Sequence, residues 1–336
     1  MANIMITKKC NLACPYCFAN EFVNKSEIDK SDIKINEFKK ILDFILEDGT
    51  TKEIGLIGGE PTCHNNFFEI LDILNNDNRV NIVTIYTNGI LIGKYKNYLK
   101  NKKFHILINC NNYMKEKNKM FNQSLKILYE DNLQDRITLG VNFYKIDFDY
   151  SYIIKLLKSF KTSKLRVSIS VPNNQDYNYK PMEYFSNIKP KLIQFFDELK
   201  KIKVIPFFDC NIFPSCLIDI DDILRYQEWG SDNPFAIIKN KPTNCSPVID
   251  IMNDMTAVRC FGLSKYTKVS INDFASISDL KSYYIRQIDA YAINCCYSDK
   301  CEECYKFKTI KCSGGCLIYK IDNILASRKN IKLINK

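Results

Sequence analysis

Three cysteines near the start of the sequence constrain it more than any other feature. They lie in Thr7-Lys8-Lys9-Cys10-Asn11-Leu12-Ala13-Cys14-Pro15-Tyr16-Cys17-Phe18, with three and then two residues between them. No fourth cysteine is near; the next is Cys63. Three thiolates can hold three irons of a cubane cluster and leave the fourth iron open to a small molecule. A closed four-cysteine site mostly transfers electrons or holds structure. The alternative is three cysteines of a zinc or structural site.

The chain has 336 residues, enough for one large or two medium domains. Fifteen cysteines without an export signal argue for metal ligation rather than disulfides, and the cytoplasm is the expected compartment. Only His64 and His105 are available as imidazoles, which disfavours histidine-rich zinc chemistry. No apolar run approaches the ~20 residues needed to span a bilayer. The formal charge is +10. That excess could attract an acidic peptide, nucleic acid or a ferredoxin-like donor, or simply solvate a lysine-rich surface.

From residue 1 to about Lys203, short apolar runs alternate with helical periodicity, which indicates βαβ units and a parallel sheet. Strands are expected at Asn3–Thr7, Glu53–Ile57, Asn81–Tyr86, Phe104–Ile108, Ile137–Phe143 and Leu165–Val171, the last stopped by Pro172. Helices are expected with Phe38, Ile41, Leu42 and Ile45 on one face, at about Asn66–Asn75, Ile92–Lys100, Lys115–Asn132, Tyr150–Phe160 and Lys191–Lys201. After about Lys203 cysteines, prolines and shorter elements take over. A domain boundary is expected there, dividing the chain into 1–203 and 204–336.

The Cys10/Cys14/Cys17 stretch resembles the CxxxCxxC signature of radical SAM enzymes, with Tyr16 at the usual aromatic position. Gly58-Gly59-Glu60-Pro61 resembles the family's GGEP motif, and Thr87-Asn88-Gly89 the TNG that follows a later strand. The motifs come in the family's order, each at the expected C-terminal end of a strand, where parallel α/β sheets bind ligands. The resemblance implies an α/β fold, a (β/α)6 partial TIM barrel followed by a small cysteine-rich auxiliary domain. It implies that Cys10, Cys14 and Cys17 hold a [4Fe-4S] cluster whose open iron chelates S-adenosylmethionine (SAM). Reductive cleavage of SAM would give a 5′-deoxyadenosyl radical that abstracts hydrogen from a substrate. Glu60 would accept the SAM ammonium. Gly58, Gly59 and Pro61 would shape the turn around its methionine part. Tyr16 and Phe18 would face the adenine, with Asn88 and Asn109 as further contacts. His64 is read as structural. Cys63 and Cys110, near strand ends, are candidate hydrogen donors, against the reading of small buried hydrophobes.

The C-terminal cysteines Cys301, Cys304, Cys312 and Cys316 form C-x2-C-x7-C-x3-C, with Cys245 and Cys260 upstream. This resembles the SPASM or twitch extension of peptide-modifying radical SAM enzymes, which binds one or two auxiliary [4Fe-4S] clusters. The resemblance assigns Cys245, Cys260 and Cys316 to one cluster and Cys301, Cys304 and Cys312 to the other. Two features depart from it. The usual glycine five before the second cysteine is Met255, and no cysteine follows Cys316. Cys210, Cys216, Cys295 or Cys296 would have to complete the sets, with Cys216 preferred for the first cluster and Cys295 or Cys296 for the second. A zinc site at Cys301, Cys304, Cys312 and Cys316 is the alternative.

The resemblance implies a substrate that is a ribosomally made precursor peptide or protein side chain, modified by a thioether or carbon–carbon crosslink or by epimerisation. A small molecule such as an amino acid, sugar or nucleotide is the second reading. A non-catalytic metal protein that binds nucleic acid is the third, and no interleaved aromatic–basic module supports it. Expected partners are a flavodoxin- or ferredoxin-like electron donor and, because Cys10 stands so early, a separate leader-binding protein; no membrane is expected. Anaerobically prepared protein is expected to contain iron and sulfide. Replacing Cys10, Cys14 and Cys17 with alanine should remove one cluster's share of that iron; zinc in its place, by metal analysis, would contradict the reading.

Overall fold

In the computed structural model, residues 1–17, 19, 23, 31–111, 115–170, 180–209, 213–240, 245, 248–264 and 266–334 are described, those at 115–117 and 328–334 by backbone alone. The strands are β1 (Ala2–Thr7), β2 (Glu53–Gly58), β3 (Ile82–Thr87), β4 (Phe104–Asn109), β5 (Ile137–Phe143), β6 (Lys164–Ile169), β7 (Ile205–Phe208), β8 (Ile249–Ile251), β9 (Thr256–Val258) and β10 (Val269–Ser270). The longer helices of the first two hundred residues are α1 (Ile35–Leu46), α2 (Phe67–Asn76), α3 (Lys115–Glu130), α4 (Ser151–Phe160) and α5 (Pro181–Lys201). The chain divides into two compact units. One joins Met1–Leu139 to Pro247–Tyr284, the other Gly140–Ser246 to Ile285–Lys336.

In the first unit β1, β2, β3 and β4 run parallel, each beside the next. Every residue of β1 is buried, as expected of a strand covered on both faces. The helices present their apolar stripes as the periodicity requires. Phe38, Ile41, Leu42 and Ile45 of α1 are buried, as are Phe67, Ile70, Leu71 and Leu74 of α2. The expected helix over 92–100 is instead a 3-10 turn, Ile92–Tyr95, followed by four α-helical residues, Lys96–Leu99. There Gly93 lies so close to Ser124 that a Cβ would stand 2.8 Å from its hydroxyl oxygen.

The segment after residue 247 brings a surprise. Strand β8 pairs in parallel with β1, and β9 and β10 continue antiparallel from it. Strands of two or three residues leave no readable alternation. Asp250 fastens this addition: it accepts hydrogen bonds from Asn3 Nδ2 at 2.6 Å and from the Phe261 amide at 2.7 Å.

The second unit carries β6 paired in parallel with β5 and β7. Helix α5 starts at Pro181, ten residues before the expected start, and runs through Pro190. A proline inside a helix removes one backbone hydrogen bond. Here burial of Phe185, Ile188, Leu192, Phe195, Phe196 and Leu199 along one face offsets that loss. Phe196 sits against the rings of Phe208, Tyr226, Trp229 and Phe235. Val171 and Pro172, the expected end of the sixth strand, lie outside the described residues.

Met255, standing where the resemblance asks for glycine, explains that preference. It lies between β8 and β9 with φ at 61°, in the left-handed region that favours glycine. The turn closes by bonds from the Met255 amide to the Met252 carbonyl and from Ile271 to the Met255 carbonyl. Left-handed backbone costs a residue with a Cβ about 1–2 kcal/mol, and glycine returns part of that through its freer unfolded chain. Met255→Gly is therefore expected to stabilise the protein by about 0.5–1 kcal/mol, read as a higher urea midpoint; a lower midpoint would contradict this.

Candidate active site

Because β1 to β4 are parallel, their C-terminal ends share one edge, and each of the first unit's motifs falls there. The cysteine loop follows β1, Gly59-Glu60-Pro61 follows β2, Thr87-Asn88-Gly89 closes β3, and Asn109 ends β4. The loops are tied to one another by backbone. The Gly59 amide donates to the Thr7 carbonyl at 2.9 Å and the Glu60 amide to the Lys9 carbonyl at 2.7 Å. This approach demands glycine. A Cβ on Gly58 would stand 2.6 Å from the Thr7 oxygen, and one on Gly59 2.3 Å from the Lys9 oxygen.

Glu60 is 1% exposed. Its Oε1 accepts from the Thr62 amide (3.2 Å), the Thr62 hydroxyl (2.6 Å) and the Thr87 hydroxyl (2.6 Å); its Oε2 accepts from the Asn88 amide (2.7 Å). Three of these donors crowd Oε1, and Oε2 carries the Asn88 amide alone among the described residues. Burial pushes the Glu60 pKa up, and those four bonds pull against it. Asn88 extends the network, donating to the Asn11 side chain at 2.7 Å inside the cysteine loop.

The base of the cysteine loop is held by Asp32, which the sequence reading missed. Its carboxylate accepts from the Thr7 hydroxyl (2.5 Å), Lys9 Nζ (2.7 Å) and the Asn65 amide (3.1 Å). No local motif marks it, since its partners are 23 to 33 residues away. His64 is structural as expected. Its Nδ1 accepts from the Asn66 amide, which leaves Nε2–H to donate to the Ile33 carbonyl, each at 3.0 Å.

Cys10 and Cys17 pack against a buried cluster of Met5, Ala19, Val23, Met252 and Phe261. Burial pushes the Cys10 and Cys14 thiols up to about 12, and the Glu60 charge adds to the rise in both. Cys10 also feels Cys14 and Cys17, so the three sulfurs share one neighbourhood. A hydrogen bond from Tyr16 favours the Cys14 thiolate. Phe18 lies outside the described residues. Cys63 is half-buried in the 3-10 turn Pro61–Cys63, close enough to Tyr95 to raise its pKa along with burial. Cys110 is 2% exposed, which suits a small buried hydrophobe as well as a donor.

In the second unit, Cys301 is pushed up to about 12 by burial and then by Cys296, Cys216, Cys312 and Cys304. Cys216 in turn feels Cys312 and Cys304. Cys216, expected to join Cys245, Cys260 and Cys316, thus stands with Cys301, Cys304 and Cys312. Of the adjacent pair, Cys296 faces this set, while the Cys295 sulfur lies 3.6 Å from the Ser327 hydroxyl. Gly314 and Gly315 fit the C-x3-C turn closely. Both have positive φ, and a Cβ on Gly315 would fall 1.6 Å from the Tyr297 ring. Cys245 and Cys316 belong to this unit, Cys260 to the first. Cys210 lies outside the described residues.

Among the described residues no three His, Cys, Asp or Glu side chains converge as ligands of one metal ion. Cubane ligation does not ask for that, because each thiolate binds a different iron. Nor is any helix among them long and apolar enough to cross a membrane.

Residues 4–134 match the Radical SAM superfamily model, so this stretch is a radical SAM domain. GTP 3′,8-cyclase from Alkaliphilus oremlandii is 33% identical over 97 residues, 29% of this chain and 30% of that protein. Radical SAM cyclopropyl synthase TigE from Paramaledivibacter caminithermalis is 27% identical over 195 residues, 50% of this chain and 41% of the relative. The chain thus spans under half the length of either relative. Streptococcus suis SuiB bound to S-adenosylmethionine superposes with a TM-score of 0.62 at 17% identity, over 94% of this chain and 72% of SuiB. The anSMEcpe structure with bound AdoMet and Kp18Cys peptide gives 0.62 at 16% identity, over 94% of this chain and 88% of that one. SuiB is also solved bound to precursor peptide SuiA. The fold class is the expected one, an α/β partial barrel of the radical SAM type.

Gly59→Ala is expected to displace the Lys9–Cys10 backbone. In a variant whose Cys301, Cys304 and Cys312 are alanine, iron retained after desalting should fall at least several-fold. Unchanged iron would show that the loop tolerates the methyl group.

Proposed function

We propose that this chain is a radical SAM enzyme that modifies a ribosomally synthesised peptide or a protein side chain. The observation that carries the proposal is the shared edge, where three half-buried thiols share one neighbourhood with the buried carboxylate of Glu60. The donor set fits the group: three soft sulfurs, two of them, Cys10 and Cys17, against an apolar wall. Cys10, Cys14 and Cys17 would hold a [4Fe-4S] cluster. When bound, cluster and SAM together supply one-electron cleavage of the sulfonium and a hydrogen-abstracting radical.

The chain's own residues then bind and orient. Glu60 would take the SAM ammonium at Oε2, where the Asn88 amide leaves one lone pair, while its donors on Oε1 stay. Gly58 and Gly59 keep the turn open beside the loop. Asn88 and Asp32 hold the loop in place from two sides. Met5, Met252 and Phe261 exclude water from Cys10 and Cys17. Tyr16 and Phe18 are proposed beside the adenine, with Asn109 beside the ribose.

In the second unit, Cys216, Cys301, Cys304 and Cys312 are proposed ligands of an auxiliary [4Fe-4S] cluster, with Cys296 as an alternate. In this reading residues 1–203 form the catalytic core and 204–336 the auxiliary part. An electron donor of the flavodoxin or ferredoxin type and a cytoplasmic location belong to the same proposal.

Peptide-bound SuiB and anSMEcpe, matched over most of this chain, support a peptide substrate. The similarity to GTP 3′,8-cyclase over 97 residues favours a small molecule as the second reading. Under anaerobic reduction the protein is expected to convert SAM to 5′-deoxyadenosine and methionine, with Cys14→Ala at background; intact SAM would overturn the proposal. Co-expression with candidate precursor peptides separates the two substrates. A peptide lighter by two hydrogens marks a crosslink, and deuterium uptake from solvent at unchanged chemistry marks epimerisation. Neither change in any peptide, with conversion of a nucleotide, would favour the small molecule.

A further inference from the structure

Lys320 lies four residues beyond Cys316 and is 2% exposed. Its Nζ donates to three backbone carbonyls, those of Ala292 (2.8 Å), Cys295 (2.9 Å) and Ser313. An ammonium has three donors and no acceptor, so three carbonyls around it select the charged form. Carbonyl dipoles solvate a charge without neutralising it. A buried ammonium lacking a counter-charge costs several kcal/mol.

Among the described residues no carboxylate forms an ion pair with Lys320. The groups that do are Cys295, Cys312, Cys296 and Cys316, each favouring the protonated lysine against the pull of burial. As thiols those sulfurs are neutral and offer the ammonium no negative partner. Cys312, and Cys296 as its set's alternate ligand, become one when they ligate metal as thiolates. A cubane held by four thiolates carries roughly −2. Lys239, whose Nζ donates to the Ser215 and Ile218 carbonyls on either side of Cys216, adds a second cation at the set's edge.

We propose that Lys320 is the built-in counter-charge of the iron–sulfur cluster held by the second unit, and that it raises that cluster's reduction potential. The inference rests on the auxiliary-cluster reading above. A fixed cation stabilises the reduced, more negative state over the oxidised one. Lys320 is a positioning and tuning residue, acting on the cluster through its charge. Its position at the start of the helix Ile321–Ile334, beneath the Gly314-Gly315 turn, keeps that charge from following solvent.

The test uses the full chain with Cys10, Cys14 and Cys17 replaced by alanine, so that remaining iron belongs to the other cysteines. The midpoint potential is followed by electron paramagnetic resonance in a redox titration. Lys320→Met is expected to shift the one-electron equilibrium at least tenfold toward the oxidised cluster, about 59 mV lower. Lys320→Arg should stay within that interval. Iron retained by the arginine variant but lost from the methionine variant would also support a charge role. An unchanged potential in Lys320→Met, or loss of iron from both variants, would assign the residue to packing and overturn the proposal. A parent protein without iron and sulfide would instead overturn the auxiliary-cluster reading, and this inference with it.

Discussion

The buried carboxylate of Glu60 is the interaction on which the first unit's edge depends. A charge so enclosed survives only if its lone pairs are filled. Here donors come from the turn that follows it and from the turn that closes β3, so one side chain fixes two loops. Its own amide is held by the cysteine loop through the Lys9 carbonyl. Three segments from distant parts of the sequence therefore share one anchor. Glycine at 58 and 59 is the steric condition for it, because a methyl group at either site would collide with backbone rather than with a side chain that could move.

The two cysteine sets solve related problems differently. In the first unit Cys10 and Cys17 pack against an apolar wall, and burial opposes the ionisation of all three thiols. Ligation by metal would reverse that opposition and release protons, which couples loading of the site to its order. The second unit surrounds its thiols with lysines bound to backbone carbonyls, at Lys320 and Lys239. On the reading proposed here, the first arrangement leaves an iron open for chemistry, and the second stabilises charge in a cluster that exchanges electrons.

Much of this was legible in the sequence because the decisive residues lie within motifs or on one periodic face. Phe38, Ile41, Leu42 and Ile45 declare α1 by spacing alone, and the cysteine loop, Glu60 and Asn88 declare themselves by order along the chain. Asp32 was not legible. It has no motif, and its role comes from partners that only the folded chain brings near. Strands β8 to β10 are too short to show alternation and are made strands by pairing that begins at β1. Helix α5 begins ten residues before the start expected at Lys191, and burial of its apolar face carries it through Pro190. Met255 was read as a departure, and the backbone shows what it departs from: a left-handed turn that glycine would make without strain. Cys216 stands near Cys301, Cys304 and Cys312, and position upstream says nothing about which sulfurs a loop will face.

The central claim is an iron left open at Cys10, Cys14 and Cys17. The most direct test is the electron paramagnetic resonance spectrum of the anaerobically reduced protein with Cys301, Cys304 and Cys312 replaced, recorded before and after adding SAM. An open iron predicts a cubane signal whose g-values shift on addition, because SAM becomes a ligand. A signal that ignores SAM, or a site that holds zinc and gives none, would contradict the account.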